Sequence, residues 1–328
     1  MKVVVLTTSY PRDAGDISGH FVRDAVEGVR SLGIDVDVVS PASFPHFGIA
    51  YGDGIAQNLR AAPWKLAFVP AFLGSFAVAA RRAARDADLV HAHWIPSAFA
   101  ARATGKPYVL QVWGTDVELA RRAPALVRPL VAGARLVIGA SSYLAGEARR
   151  LGANKVEVVP SGVQIPAQVP DPAEPPHVLY VGRLSAEKGV LDFLEATDGL
   201  PRVIVGDGPL RERVRESVGF VPPADLGGYY ARAAVVCVPS RREGYGMTAR
   251  EAMAYGRPLV ATDVGGLADL GPEARLVPSG DIGRLRQAIV DLLTDRDARV
   301  ASGERARARA SGEWSKDAAA ARLAELYR

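Results

Sequence analysis

Short apolar runs rich in β-branched residues, each followed by a stretch with helical spacing, recur along this chain, and that alternation constrains the fold more than any other feature. Residues 3–7 form one continuous run, the pattern of a strand covered on both faces. Behind it Phe21, Val22, Ala25, Val26, Val29 and Leu32 recur at helical spacing until Gly33 stops the helix. Further strands read at residues 35–39, 89–94, 108–112, 136–139 and 156–159, with helical stretches between most of them. Alternation of this kind predicts a parallel sheet with helices on both faces.

The pattern breaks once. Pro166, Pro170, Pro172, Pro175 and Pro176 crowd a stretch without helical periodicity, which reads as a stiff linker. The alternation then restarts at residues 178–182, 203–205, 235–238, 259–262 and 276–277. The expected fold is therefore α/β, with two Rossmann-like doubly wound parallel-sheet domains facing an interdomain cleft. Residues 1–165 form the first, 166–176 the linker, 177–312 the second, and 313–328 an Ala-rich final helix with Leu323, Leu326 and Tyr327 on one side. In such sheets ligands bind beyond the carboxyl ends of the strands, so functional residues should follow these runs. No repeat of solenoid length is visible.

At 328 residues, 48% of them hydrophobic, the chain has material for two globular cores. Its one cysteine, Cys237, lies inside an apolar run; a disulfide within the chain and Cys-rich metal sites are excluded, and a buried thiol is expected. The net charge of +4 comes from arginines dispersed through Ala-rich stretches such as 79–85 and 305–309. A basic balance suits nucleic acid, anionic membrane or a phosphorylated substrate. No nucleic-acid motif accompanies it, so a nucleic-acid partner is not expected. The N-terminus enters a strand without a signal-peptide pattern, so a cytoplasmic location is expected. Residues 64–80 are apolar apart from Lys65 and Ser75, with Arg60, Arg81, Arg82 and Arg85 flanking them. They fall short of the roughly 20 residues of a spanning helix. The first reading is a buried helix kinked at Pro70; the alternative is an interfacial helix at the inner face of an anionic membrane.

The chemistry concentrates in one stretch. Residues 239–254 (PSRREGYGMTAREAMA) follow a strand and open a helix that Gly256 and Pro258 terminate. Glu243 falls in the loop and Glu251 in the helix, while Gly244 and Gly246 allow a backbone to approach a ligand closely. A sugar needs carboxylates directed at its hydroxyls, and a diphosphate needs N–H donors and cations. This strand–loop–helix supplies the first and part of the second.

Glu243 and Glu251 stand at the E-x7-E spacing, and EGYGM…EAMAYGRPLVATDVGG resembles the donor-site signature of the retaining glycosyltransferases of family 4 (glycosyl transferases group 1). Residues 180–189 (YVGRLSAEKG) are similar to that family's GRL…KG element, in which Arg and Lys hold the diphosphate. Arg183 brings a planar fork of donors and Lys188 a compact charge, which together can offset charge on a departing diphosphate without a metal. The turn Val205-Gly206-Asp207-Gly208-Pro209 resembles the family's GDGP turn; as a dinucleotide fingerprint it fails, because Arg211 occupies the place of the third glycine. Phe220 and Val221 lie where the family's backbone meets the base. In the first domain, residues 9–21 with Gly15 and Gly19 resemble the N-terminal glycine loop.

The resemblance implies Glu243, Arg183 and Lys188 as catalytic residues. It implies Gly19, Gly182, Gly206, Phe220, Val221, Gly244, Tyr245, Gly246, Met247, Thr248 and Glu251 as donor-binding residues. His20, His93, Trp113 and Asp116 would face the cleft on the acceptor side, and the final helix would cross back to the first domain. His91 and His93 share one side of a strand, but no third metal ligand accompanies them, and neither a metal nor an organic cofactor is expected. Asp35 and Asp37 have Asp-x-Asp spacing but lie in a strand, where solvation is the expectation. One departure stands out. Residues 112–116 (VWGTD) resemble the family's HG-x-D element with Trp113 in the place of the histidine, and indole cannot exchange a proton at neutral pH. Trp113 either stacks and sets shape, or impairs activity; Asp116 either faces the cleft or caps the following helix.

The function implied is transfer, with retention, of a sugar from a UDP- or GDP-linked donor to an acceptor hydroxyl in cell-envelope polysaccharide or glycolipid synthesis. The apolar segment with its basic flanks suggests a lipid-linked acceptor. The alternatives are another GT-B enzyme, a sugar-nucleotide epimerase or phosphorylase, and a nucleotide-sugar-binding protein that has lost catalysis. A nicotinamide oxidoreductase is a poorer reading, since no complete G-x-G-x-x-G is present.

Overall fold

The structure is a computed structural model that describes residues 1–13, 16, 18–51 and 54–328. The chain divides into two compact units, Met1–Gly162 together with Ala319–Arg328, and Val163–Ala318.

The first unit holds a six-stranded sheet: β1 (Lys2–Leu6), β2 (Asp35–Val39), β3 (Leu89–His93), β4 (Tyr108–Val112), β5 (Leu136–Gly139) and β6 (Val156–Val158). Their order is β2-β1-β3-β4-β5-β6 and every pairing is parallel. Val3, Val5, Leu89, Val109 and Ile138 line one face with Val22, Val26 and Val29 of helix His20–Ser31. Leu323, Ala324 and Tyr327 close the same core from the other end of the sequence. β3 stops at His93 because Trp94 turns to φ 63° and ψ 149°, leaving the strand for the helix Ile95–Ala103.

The apolar stretch departs from the first expectation. Pro63–Phe68 forms a 3-10 turn that runs into helix Val69–Ala83, and Pro70 sits in the first turn of that helix rather than at a kink. Proline is tolerated there because a first-turn N–H has no helical acceptor to lose. Together Pro63–Ala83 spans 21 residues with a mean hydropathy of 1.3, long and apolar enough by composition to cross a membrane. It is not a buried helix either. Phe72, Phe76 and Ala80 face the unit at helical spacing, while Trp64, Leu66 and Phe68 stay 65%, 58% and 41% exposed.

The second unit holds β7 (Val178–Val181), β8 (Arg202–Val205), β9 (Val235–Val238), β10 (Leu259–Thr262) and β11 (Ala274–Val277), in the order β11-β10-β9-β7-β8, again all parallel. Alternate residues of β9 feed opposite cores: Val236 and Val238 one, Val235 and Cys237 the other. Cys237 is fully buried, and burial pushes its thiol far above the usual range, so it packs as an apolar side chain. The Pro-rich stretch is strapped to this unit. Arg257 donates to the carbonyls of Pro170 at 2.5 Å and Ala231 at 2.8 Å, Arg307 reaches the Pro166 carbonyl, and the Ala173 amide donates to Arg232. Prolines leave carbonyls without amide partners, and the guanidinium groups of buried Arg257 and half-buried Arg307 supply the missing donors.

Candidate active site

Both sheets present loops at the carboxyl ends of their strands, and the predicted residues gather on those loops within each unit. In the second unit β9 ends at Val238 and the chain turns through Ser240–Gly246 before helix Met247–Ala254. The loop is held from both sides. Arg241 grips the Asp192 carboxylate in a two-bond fork at 2.8 and 3.0 Å, and its amide donates to the Glu187 carbonyl. Thr262 donates to the Ser240 carbonyl, and the Gly266 amide donates to the Glu243 carbonyl at 3.0 Å.

On this frame Lys188 Nζ donates to Glu243 Oε2 at 2.7 Å, and Ser240 Oγ approaches the same oxygen at 3.3 Å. Two residues 55 positions apart, both predicted as catalytic, are thus an ion pair. Glu251 lies one turn into the helix, and its Oε2 accepts from the Tyr230 hydroxyl at 2.7 Å. Burial and the neighbouring Glu251 charge keep the Tyr230 phenol well above its usual range, so it remains a donor. Gly246, in the left-handed region at φ 88°, starts the helix with no side-chain cap among the described residues, and first-turn amides of a helix have no intrahelical acceptor.

The neighbouring loops complete the edge. Gly206 follows β8 with φ 145°, and a Cβ there would lie 1.9 Å from the Gly182 carbonyl oxygen, which explains glycine at this turn. Backbone bonds from Gly182 to Val205 and from Leu184 to Asp207 lock the two loops together. Arg183 is exposed, and among the described residues its guanidinium makes no hydrogen bond or ion pair. Phe220 is 57% exposed beside the Gly206–Gly219 bridge, while Val221 packs on the core. Tyr245 turns its ring inward, so it meets the loop surface only through its backbone.

In the first unit Gly19 precedes helix His20–Ser31 beside the Ser9 carbonyl, while Gly15 lies outside the described residues. His20 packs edge-on against Phe21 at 5.5 Å. Phe21 lies 4.3 Å from Trp113 and 5.7 Å from Trp94, ring centre to ring centre. His93 is buried and stacks on Trp113 at 5.8 Å with an interplanar angle of 17°, so it backs the indole. His91 is buried beside it, with Nδ1 2.6 Å from the Tyr327 hydroxyl. Burial holds the His91 imidazole down to about 3, and burial with the His91 neighbour holds His93 well below its usual range. Both are neutral at physiological pH.

Asp116 is buried and ties two loops. Its Oδ1 accepts from the amides of Trp113 at 3.1 Å and Gly114 at 2.9 Å, and its Oδ2 from Ile95 at 3.2 Å. Burial raises its pKa against those amides. Beside it a cavity of about 460 Å³ is lined by Thr8, Ser9, Tyr51, Trp94, Ile95 and Asp116, among others. Trp94 at φ 63° is a strained backbone in the cavity wall, of the kind that collects at functional positions. Among the described residues no group of three His, Cys, Asp or Glu side chains could hold a metal ion.

Sequence reasoning missed Tyr230, Asp192, Arg241 and Trp94. Asp192 and Tyr230 precede the motif and carry no local signal, while Arg241 lies inside it as one of two adjacent arginines with nothing local to single it out. Trp94 reads as the last residue of a strand.

Two parallel-sheet Rossmann-like units, the second with paired acidic and basic side chains on the loops beyond its strands, define a glycosyltransferase of the GT-B class. The Glycosyltransferase Family 4 model matches residues 18–165, and the model described as Glycosyl transferases group 1 matches residues 175–295. A D-inositol 3-phosphate glycosyltransferase of Xylanimonas cellulosilytica is 30% identical over 300 residues, covering 73% of this chain and 71% of that one. A Bacillus subtilis protein assigned to teichuronic acid biosynthesis as a glycosyltransferase is 29% identical, over 82% of this chain and 83% of its own. The chain belongs to glycosyltransferase family 4, the glycosyl transferases group 1. Among solved structures, sucrose-phosphate synthase from Thermosynechococcus elongatus shares the fold with a TM-score of 0.83 at 22% identity, over 100% of this chain and 98% of that one. Anabaena HepE, solved in complex with UDP-glucose, does so with a TM-score of 0.75 at 19% identity, over 99% of both chains.

Proposed function

We propose that this glycosyltransferase moves a sugar from a nucleoside diphosphate sugar, UDP- or GDP-linked, to an acceptor hydroxyl with retention at the anomeric carbon and without a metal. The observation that carries this reading is the Lys188–Glu243 pair at 2.7 Å on the loop that leads to Glu251. Glu243 orients the sugar and supports positive charge at the anomeric carbon. Glu251, held by Tyr230, receives the ribose hydroxyls. Lys188, exposed Arg183 and the amides at the start of helix Met247–Ala254 stabilise the departing diphosphate. The bond from the anomeric carbon to the diphosphate oxygen breaks with its electron pair on the diphosphate, and the acceptor oxygen forms the new bond on the same face as its proton passes to that departing oxygen.

The acceptor belongs to the first unit in this reading, in the cavity beside Trp94 and Asp116. The exposed Trp64, Leu66 and Phe68, with Lys65 among them, support a lipid-linked acceptor at an anionic membrane surface. This fits a place in cell-envelope polysaccharide or glycolipid synthesis on the cytoplasmic side.

Thermal stability of the protein against UDP, GDP, ADP and NAD, without added metal, tests the donor assignment. A ligand that binds the native state raises the melting temperature by mass action. One of UDP or GDP should do so, and Glu251→Ala or Arg183→Ala should abolish the shift. Stabilisation by NAD alone, or by none of the four, sinks the reading.

A further inference from the structure

Arg250 stands next to Glu251 on helix Met247–Ala254 but turns about 100° away, as adjacent helical residues do, and is only 1% exposed. Among the described residues no carboxylate pairs with it. Its Nη1 donates to the Tyr245 carbonyl and lies 3.5 Å from the Gly246 carbonyl oxygen, and its Nη2 donates to Gly266 at 3.3 Å. The guanidinium carbon lies 3.8 Å from the centre of the Tyr245 ring and 4.9 Å from that of Trp314. A buried guanidinium with no carboxylate in contact is costly even with the charges of Asp269 and Glu243 nearby, and methionine or leucine could fill the position with no charge to desolvate.

The carbonyls explain the expense. In a trans peptide the C=O of one residue and the N–H of the next point in opposite directions. Drawing the Tyr245 carbonyl inward therefore turns the Gly246 amide the opposite way, and the Gly246 carbonyl, which also accepts from the Arg250 amide at 3.3 Å, sets the Met247 amide in the same sense. Neither amide has an acceptor among the described residues. The third carbonyl, of Gly266, belongs to the residue whose amide holds the Glu243 carbonyl. Arg250 thus grips both segments that frame Glu243, with its aromatic neighbours covering the cation.

We infer that Arg250 is a positioning residue for the nucleoside diphosphate, fixing the peptide planes of residues 245–247 so that two amides face the phosphates, above a buried positive charge. The inference rests on the donor site proposed above and adds a group that touches neither sugar nor base.

Calorimetric titration of the full chain with UDP, uridine, GDP and guanosine separates the two ideas. Arg250→Met should weaken the diphosphate that binds by about tenfold or more, and leave its nucleoside unchanged. Arg250→Lys keeps the charge but not the fork, so it should recover part of that loss. Parallel losses for diphosphate and nucleoside, or no loss, would reduce Arg250 to packing and overturn the inference. If Arg250→Met does not fold, Arg250→Lys is judged by the same ratio, and a wild-type preference for the diphosphate overturns it. Wild-type binding with an unchanged ratio in the variants leaves the donor site standing; a wild type that binds neither diphosphate removes both.

Discussion

His91 and His93 illustrate how much of a residue's behaviour comes from what covers it. Their placement on one side of β3 follows from strand geometry and is legible two residues apart. Their neutrality is not, because it depends on Tyr327, 236 residues away from His91, and on the indole of Trp113. The linkage has a definite sign. An unfolded histidine takes up its proton near 6.5, whereas buried His91 resists protonation down to about 3. Between those values the unfolded chain binds more protons, so stability falls as the pH is lowered through that window, by up to about 1.4 kcal/mol per pH unit for one such group. Denaturant unfolding between pH 7 and pH 4 should therefore show a shallower loss for His91→Gln than for the wild type. Identical slopes would assign the acid sensitivity to other groups.

Among the elements, the segment Pro63–Ala83 shows a pattern that sequence resolves only halfway. Its apolar character is legible, though the sequence reading of residues 64–80 falls short of the 21 residues of Pro63–Ala83, and composition alone does not say which side is covered. Packing decides that: Phe72, Phe76 and Ala80 meet the first unit, while Trp64, Leu66 and Phe68 on the 3-10 turn stay largely exposed, Phe68 touching only the rings of Trp64 and exposed Phe47 among aromatic neighbours. Replacing these last three by serine should leave folding intact, because none contributes to the core. It should also lower flotation with phosphatidylglycerol vesicles at least tenfold, given about 1.5–3 kcal/mol for each large apolar side chain removed from water. Absence of flotation by the wild-type protein would take away the main support for a lipid-linked acceptor. The Pro-rich segment makes the same point in reverse. Its prolines announce a break in the pattern, but Arg257, far along the chain, turns a spacer into a strap on the second unit.

At the scale of the molecule, residues 319–328 belong with the first unit although the segment before them belongs with the second. Leu323, Ala324 and Tyr327 fill its core, and Ala320 lies against Gly28. Ending the chain at Ala318 should cost several kcal/mol of stability, about 2–5 for each large core side chain lost. Calorimetry of the shortened chain should show a lowered transition insensitive to UDP or GDP, while a nucleotide-stabilised transition of the second unit persists. Loss of both together would mean that the units do not unfold separately. The sequence alone determined the α/β class, the break between two sheets and the loop that carries Glu243 and Glu251, because period, turn residues and strand ends are short-range properties. Only the tertiary structure decided that Lys188 pairs with Glu243, that Tyr230 holds Glu251, that Arg250 lies beneath the loop carrying Glu243, and that Trp113 rests on a buried histidine. Those partners meet through chain closure over tens of residues, and a helical turn of about 100° per residue is enough to send neighbours such as Arg250 and Glu251 to different surroundings.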